Sequence, residues 1–196
     1  MSTETLKRPD YRHPRVIELA AAKIAPDVIK WAEESDGELP QREKDRVLQD
    51  MVKLLKFRGY ELDGYKLAKA MESMSLVGEA DSSLVEVLDS AHWHMSDAID
   101  QITREWVVEN NITPTFKVGD KVVYIRQGDI SANEMREVEG TVMNINPERA
   151  KYTVNCPALG HRPTFMQGKR IPGTYGEVVN FEHVRALTLE ESNPSV

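Results

Sequence analysis

Residues 84–125 read LVEVLDSAHWHMSDAIDQITREWVVENNITPTFKVGDKVVYI, and the fold turns on where their periodicity changes. From Leu84 to Trp106 the apolar residues Leu84, Leu88, Ala91, Met95, Ile99, Ile102 and Trp106 recur at steps of three and four, the stripe of an amphipathic helix. After Asn110-Asn-Ile-Thr-Pro114 the pattern changes. Phe116-Lys-Val-Gly-Asp-Lys-Val-Val-Tyr-Ile125 alternates like a strand entered through a Gly-Asp turn. The sequence therefore predicts an α+β protein. A flexible arm (1–13) precedes a helical domain over 14–110. A linker at 111–115 then leads into a β-domain over 116–189 and a tail at 190–196.

Working outward from that stretch, the chain turns helical at Pro14. Pro26 is expected to open a second segment, because proline fits a first turn and breaks an interior. Residues 35–40 read as a loop. A helix follows over about 41–58, with Val47, Leu48, Met51, Leu54 and Leu55 as its apolar face and Gly59 as its stop. Asp63 is placed to cap a third helix carrying Tyr65, Leu67, Ala70, Met71 and Met74, and Asp81 or Ser82 to cap the long helix. On the other side, 138–145, 151–156, 176–181 and 183–187 read as strands, with a loop inserted over 157–176.

Composition bounds the class. With 196 residues, 40% hydrophobic and 29% charged, the chain has the balance of a globular protein with a real core. No apolar run approaches the roughly 20 residues that span a bilayer, so no membrane contact is expected. The opening MSTETLKRPDYRHP has no apolar core of a signal peptide. The lone Cys156 leaves no internal disulfide and no thiolate cluster, and is expected as a small core residue. These features together predict a cytoplasmic location.

The net charge of −7 lies entirely within residues 1–110. Over 71–110, nine Asp and Glu meet a single Arg, whereas over 151–170 Lys151, Arg162, Lys169 and Arg170 meet no acid. An acidic half disfavours phosphate backbones and favours basic partners.

The acid is patterned. Glu86, Asp89, Trp93, Asp97 and Asp100 recur opposite the apolar stripe, so a continuous helix would present them as one acidic row about 21 Å long. Such a row suits a basic groove on a partner protein, with Trp93 as the anchor type enriched at binding hot spots. The plain alternative is a solvated face, with Trp93 packed on the same chain. A kink near Ser90 would destroy the row.

Catalysis finds no foothold, and no enzyme and no cofactor are expected. His92-Trp93-His94 resembles a metal motif, but helical positions two apart point about 200° apart and do not share an ion. The carboxylate pairs Asp97/Asp100 and Glu86/Asp89 sit on an exposed face without a pocket to shift a pKa. Nucleophile-elbow and phosphate-binding glycine motifs are absent.

The 157–176 loop is the second candidate surface. Arg162, Phe165, Lys169 and Arg170 interleave basic and aromatic character as single-stranded nucleic acid or RNA requires. The same loop could instead dock on the acidic row of a second copy, giving a homodimer.

Three resemblances add to this. Phe116-Lys-Val-Gly-Asp-Lys-Val122, Glu139-Gly-Thr-Val-Met-Asn-Ile145, Tyr152-Thr-Val154 and Val178-Val-Asn-Phe-Glu-His-Val184 resemble a small SH3-like barrel of the Tudor or KOW kind. That implies a barrel over 116–189; a methyl-reading cage would have to come from Tyr124, Tyr152, Phe165, Tyr175 and Phe181. The first of those pieces and Gly160-His-Arg-Pro-Thr-Phe-Met-Gln-Gly168 are similar to parts of the nitrile hydratase beta subunit, though further apart than in that family. This second resemblance implies a metalloenzyme subunit whose metal sits on a cysteine-rich partner. Phe57-Arg-Gly-Tyr-Glu-Leu-Asp-Gly-Tyr-Lys-Leu-Ala-Lys69 and Trp106-Val-Val-Glu-Asn-Asn-Ile-Thr-Pro114 resemble compact bacteriophage and prophage proteins, which implies an accessory, host-takeover or counter-defence role. The expectation is a non-catalytic accessory or inhibitory protein that engages a basic protein surface. Nucleic-acid binding is the alternative.

Overall fold

The computed structural model describes residues 6–58, 63–127, 135–155, 164–166, 169–171 and 176–187. The chain divides into two units, Met1–Trp106 and Val107–Val196. Its architecture is α+β: a helical N-terminal part followed by a five-stranded antiparallel sheet. No helix among the described residues is long and apolar enough to cross a membrane.

The helices are α1 (Pro14–Asp36), α2 (Gln41–Arg58), α3 (Gly64–Ser73), α4 (Ser82–Asp89) and α5 (Ala91–Glu109). Their apolar stripes merge into one core. Val16, Ala20 and Ile24 come from α1, Met51, Leu54 and Leu55 from α2, and Leu67 and Met71 from α3. Leu84 and Leu88 of α4 and Ala91, Met95, Ala98 and Ile102 of α5 complete it. Two starts are capped as the sequence predicts: Asp63 accepts the Lys66 N–H and Asp81 the Leu84 N–H.

Three expectations are corrected here. Pro26 does not open a second segment; α1 runs through it. Its ring stands on the exposed side, where water can satisfy the carbonyl four residues back, and the buried series Val16, Ala20, Ala21, Ile24, Ala25, Val28 continues past it. Leu48 is 39% exposed, at the edge of the stripe that buries Met51, Leu54 and Leu55. The long helix is not continuous, because it divides at Ser90. Gly59, the expected stop of α2, lies outside the described residues.

In the second unit the sheet runs β6-β3-β2-β1-β7, with β1 Lys121–Gln127, β2 Met135–Asn146, β3 Lys151–Asn155, β6 Gly176–Asn180 and β7 Val184–Ala186. β2 begins three residues before the predicted 138, because it follows β1 to the end of their hairpin, where Gln127 faces Met135. A register shift between Val142 and Asn144 changes which residues face the core, from Val138 and Val142 to Ile145. Within the span read as a loop, β4 (Thr164–Met166) and β5 (Lys169–Ile171) pair as a separate antiparallel hairpin. Strands of three residues carry too little alternation to be read.

Val122, Tyr124, Val142, Tyr152, Val154 and Val179 form the sheet's core. Gly140 serves that core by lacking a side chain. A Cβ there would come within 2.6 Å of the Asn155 carbonyl oxygen and 3.4 Å of the Tyr124 ring. The Tyr152 hydroxyl accepts the N–H groups of Thr115 and Phe116 at 2.9 and 3.0 Å, while its ring meets Phe116 and Phe181. Tyr124 and Tyr152 are thus committed to packing, which removes two of the five aromatics from any methyl-reading cage. Cys156 lies outside the described residues.

Candidate protein-binding face

The joint between α4 and α5 decides what becomes of the acidic row. Ser90 keeps right-handed angles (φ −71°, ψ −16°), but its N–H reaches the Val87 carbonyl at only 3.4 Å. Its hydroxyl donates to the same carbonyl at 2.8 Å, the local side-chain competition by which serine weakens a helical ladder. The ladder resumes when Trp93 and His94 both donate to the Ser90 carbonyl.

The five residues of the row have different partners. The carboxylate of Asp89 accepts the Gly64 N–H at 2.9 Å and so belongs to the start of α3. Asp100 is ion-paired with Arg104 at 3.0 Å, one turn on along α5. Glu86, Trp93 and Asp97 remain exposed, Trp93 at 67%. The His92 ring lies against Trp93 with centroids 4.4 Å apart, and its Nδ1 is 3.0 Å from the Asp89 carbonyl oxygen. Of the row, Asp89 is exposed like Glu86, Trp93 and Asp97, and Asp100 is half-buried; Glu86 and Asp89 stand on α4 and the other three on α5.

Glu86 also opens onto a feature that periodicity alone does not reveal. An open groove of about 400 Å³ runs between α1 and α4, lined by Asp27, Lys30, Trp31, Glu34, Ser83, Glu86, Val87 and Ser90. The Trp31 indole N–H donates to Asp81 (3.1 Å) and to the Ser83 hydroxyl (3.0 Å), which fixes the ring in the groove. The Leu84 N–H, then the Ser83 hydroxyl, hold the Asp81 carboxyl below its usual range against the opposing effect of burial, with the Trp31 N–H adding to them. Residues 27, 30, 31 and 34 form a surface stripe legible in sequence; that α4 faces them is not.

The basic candidates are only partly in view. Arg162 lies outside the described residues. Phe165 sits on β4 directly opposite Arg170 of β5, and Met166 opposite Lys169. Among the described residues, no three or more His, Cys, Asp or Glu gather where they could hold a metal ion.

No protein-family model matches the chain, and comparison with curated proteins and with solved structures finds no match either.

Proposed function

We propose that the chain is a non-catalytic accessory or inhibitory protein whose helical unit engages a basic surface of a partner protein. One observation carries this: Trp93 stands 67% exposed, with Glu86 and Asp97 exposed on the same pair of helices. An exposed tryptophan supplies large contact area at low entropic cost, and flanking carboxylates steer a basic partner toward it. Asp89 and Asp100 lie beside this contact and add to its negative charge, though each also has a partner within the chain. Affinity capture with the wild type, Trp93→Ala and the Glu86→Gln/Asp97→Asn pair tests it. Loss of the same captured protein from both variants is expected, and equal recovery on all three would sink the idea.

We further propose that the sheet curls into a small SH3-like barrel. β6 and β7 lie at opposite edges of the five strands, yet only the one-turn 3-10 helix Phe181–His183 joins them. Four Cα steps cover at most about 15 Å. Four strand spacings in a flat sheet cover about 19 Å. The Tyr124 hydroxyl on β1 also donates to Glu177 on β6 at 2.8 Å, past two intervening strands, which a flat sheet would hold about 14 Å apart.

Nucleic-acid binding through Arg162, Phe165, Lys169 and Arg170 is the second proposal. Its support is the β4–β5 hairpin, which sets Arg170 opposite Phe165 on one short ribbon. It requires affinity for single-stranded RNA or DNA that falls steeply with salt. No binding at low salt ends it.

A further inference from the structure

We infer that the α1–α4 groove is the seat for a basic segment of the partner, one carrying an apolar side chain between arginines or lysines; this rests on the protein-binding proposal above. Two helices line the groove. Asp27, Lys30 and Glu34 stand on the α1 wall and Glu86 on the α4 wall, with Trp31 and Val87 between them. Lys30 lies 3.9 Å from Glu34, so those two charges answer each other. Asp27 and Glu86 are exposed, and no ion pair of theirs is seen among the described residues.

Two carboxylates on opposing walls therefore flank a half-buried tryptophan. Charge complementarity selects the occupant. An acidic segment would meet an excess of like charge. A purely apolar one would leave Asp27 and Glu86 partly desolvated without a partner, which is unfavourable. An arginine can pair with a wall carboxylate and lay its weakly hydrated guanidinium on the indole. The neighbouring apolar side chain then covers Val87. The Trp31 ring is held in place by its N–H, which donates to Asp81 and Ser83.

The groove also gives the joint at Ser90 a place in recognition. Ser90 lines its end, and Trp93 follows three residues later. A segment seated between α1 and α4 can therefore continue toward the exposed indole of Trp93. Anchor and groove would then serve one bound chain.

The test follows the indole N–H resonances of Trp31 and Trp93 by NMR. The titrant is a short synthetic arginine-rich peptide with one leucine, and its control is the same peptide with glutamate for arginine. The inference expects the Trp31 resonance to move with the arginine peptide alone, with affinity about tenfold weaker for Asp27→Asn/Glu86→Gln. Both positions are exposed, so the double variant retains its core. Unchanged affinity in that variant, or movement of Trp31 with the glutamate peptide as well, overturns the inference. Movement of Trp93 without Trp31 overturns the groove and leaves the Trp93 face standing. Movement of neither overturns both.

Discussion

The Asp89 carboxylate accepts the backbone N–H of Gly64 at 2.9 Å, fastening the end of α4 to the start of α3 across 25 positions of sequence. The approach is so close that a Cβ on Gly64 would come within 2.5 Å of the Val85 carbonyl oxygen. Asp89 therefore acts as a second cap for α3, beside Asp63. Asp89→Ala should lower stability by about 1 kcal/mol, as removal of a cap does, while Asp89→Asn keeps an acceptor and loses less. Gly64→Ala should cost more, about 1–3 kcal/mol, because two backbones must move apart. Urea unfolding reads all three, and an unchanged midpoint in Asp89→Ala would show that the contact contributes nothing.

Gly140 is the corresponding point in the sheet. Gly140→Val introduces a branched side chain where the Asn155 carbonyl and the Tyr124 ring already stand. A loss of about 1–3 kcal/mol is expected, confined to the second unit. Near-UV circular dichroism should report it through Tyr124 and Tyr152. An intact spectrum and an unaltered melting temperature would contradict the packing described.

The proposed curl of the sheet makes Tyr124 and Glu177 energetically coupled. In a double-mutant cycle with Tyr124→Phe and Glu177→Ala, a coupling of about 0.5–1.5 kcal/mol is expected. In a flat sheet the two side chains would be too distant to couple, and the cycle would close near zero.

Acid should act through Asp81. Its carboxyl is held below the usual range chiefly by the Leu84 N–H, then by the Ser83 hydroxyl and the Trp31 N–H. A carboxyl whose pKa is lower in the folded state than in the unfolded one adds stability above the unfolded value, near 4. That stability is lost as pH falls through the lower folded value. Asp81→Asn keeps a cap but cannot titrate, so the acid limb of its stability curve should be shallower than that of the wild type. Parallel limbs below about pH 4 would assign the effect to other groups, Glu72 and Glu33 among them, whose carboxyls are also held low.

Pro26 interrupts the hydrogen-bond ladder of α1 from an exposed position. Pro26→Ala restores an N–H to face the Ala22 carbonyl and should raise stability by about 1–3 kcal/mol. A destabilised variant would mean that the proline supports a bend the core requires.

Much of the fold was legible before any tertiary structure. The change of period after Asn110 separates helices from strands, and Asp63 and Asp81 announce the starts they cap. Alternation located the strands around Tyr124, Tyr152 and Val179 because each has one face in the core. Pro26 misled, since a proline's cost depends on whether the unpaired carbonyl faces water. The β4–β5 hairpin was missed because its strands are shorter than a readable alternation.

The candidate site was legible only in its parts. Glu86, Trp93 and Asp97 follow from helical spacing, and spacing is local. Whether an oxygen of Asp89 meets the N–H of Gly64 is settled by how α3 crosses α4, a contact between residues far apart in the chain. The same applies to the groove, where Asp27 and Trp31 meet Glu86 and Val87 only because α1 and α4 share a core. The sequence by itself determined which residues prefer helix, strand, core and surface, because those preferences arise from neighbours a few positions away. Tertiary structure alone decided which acids were already engaged and which remained open, because a carboxylate serves whichever donor packing brings to it.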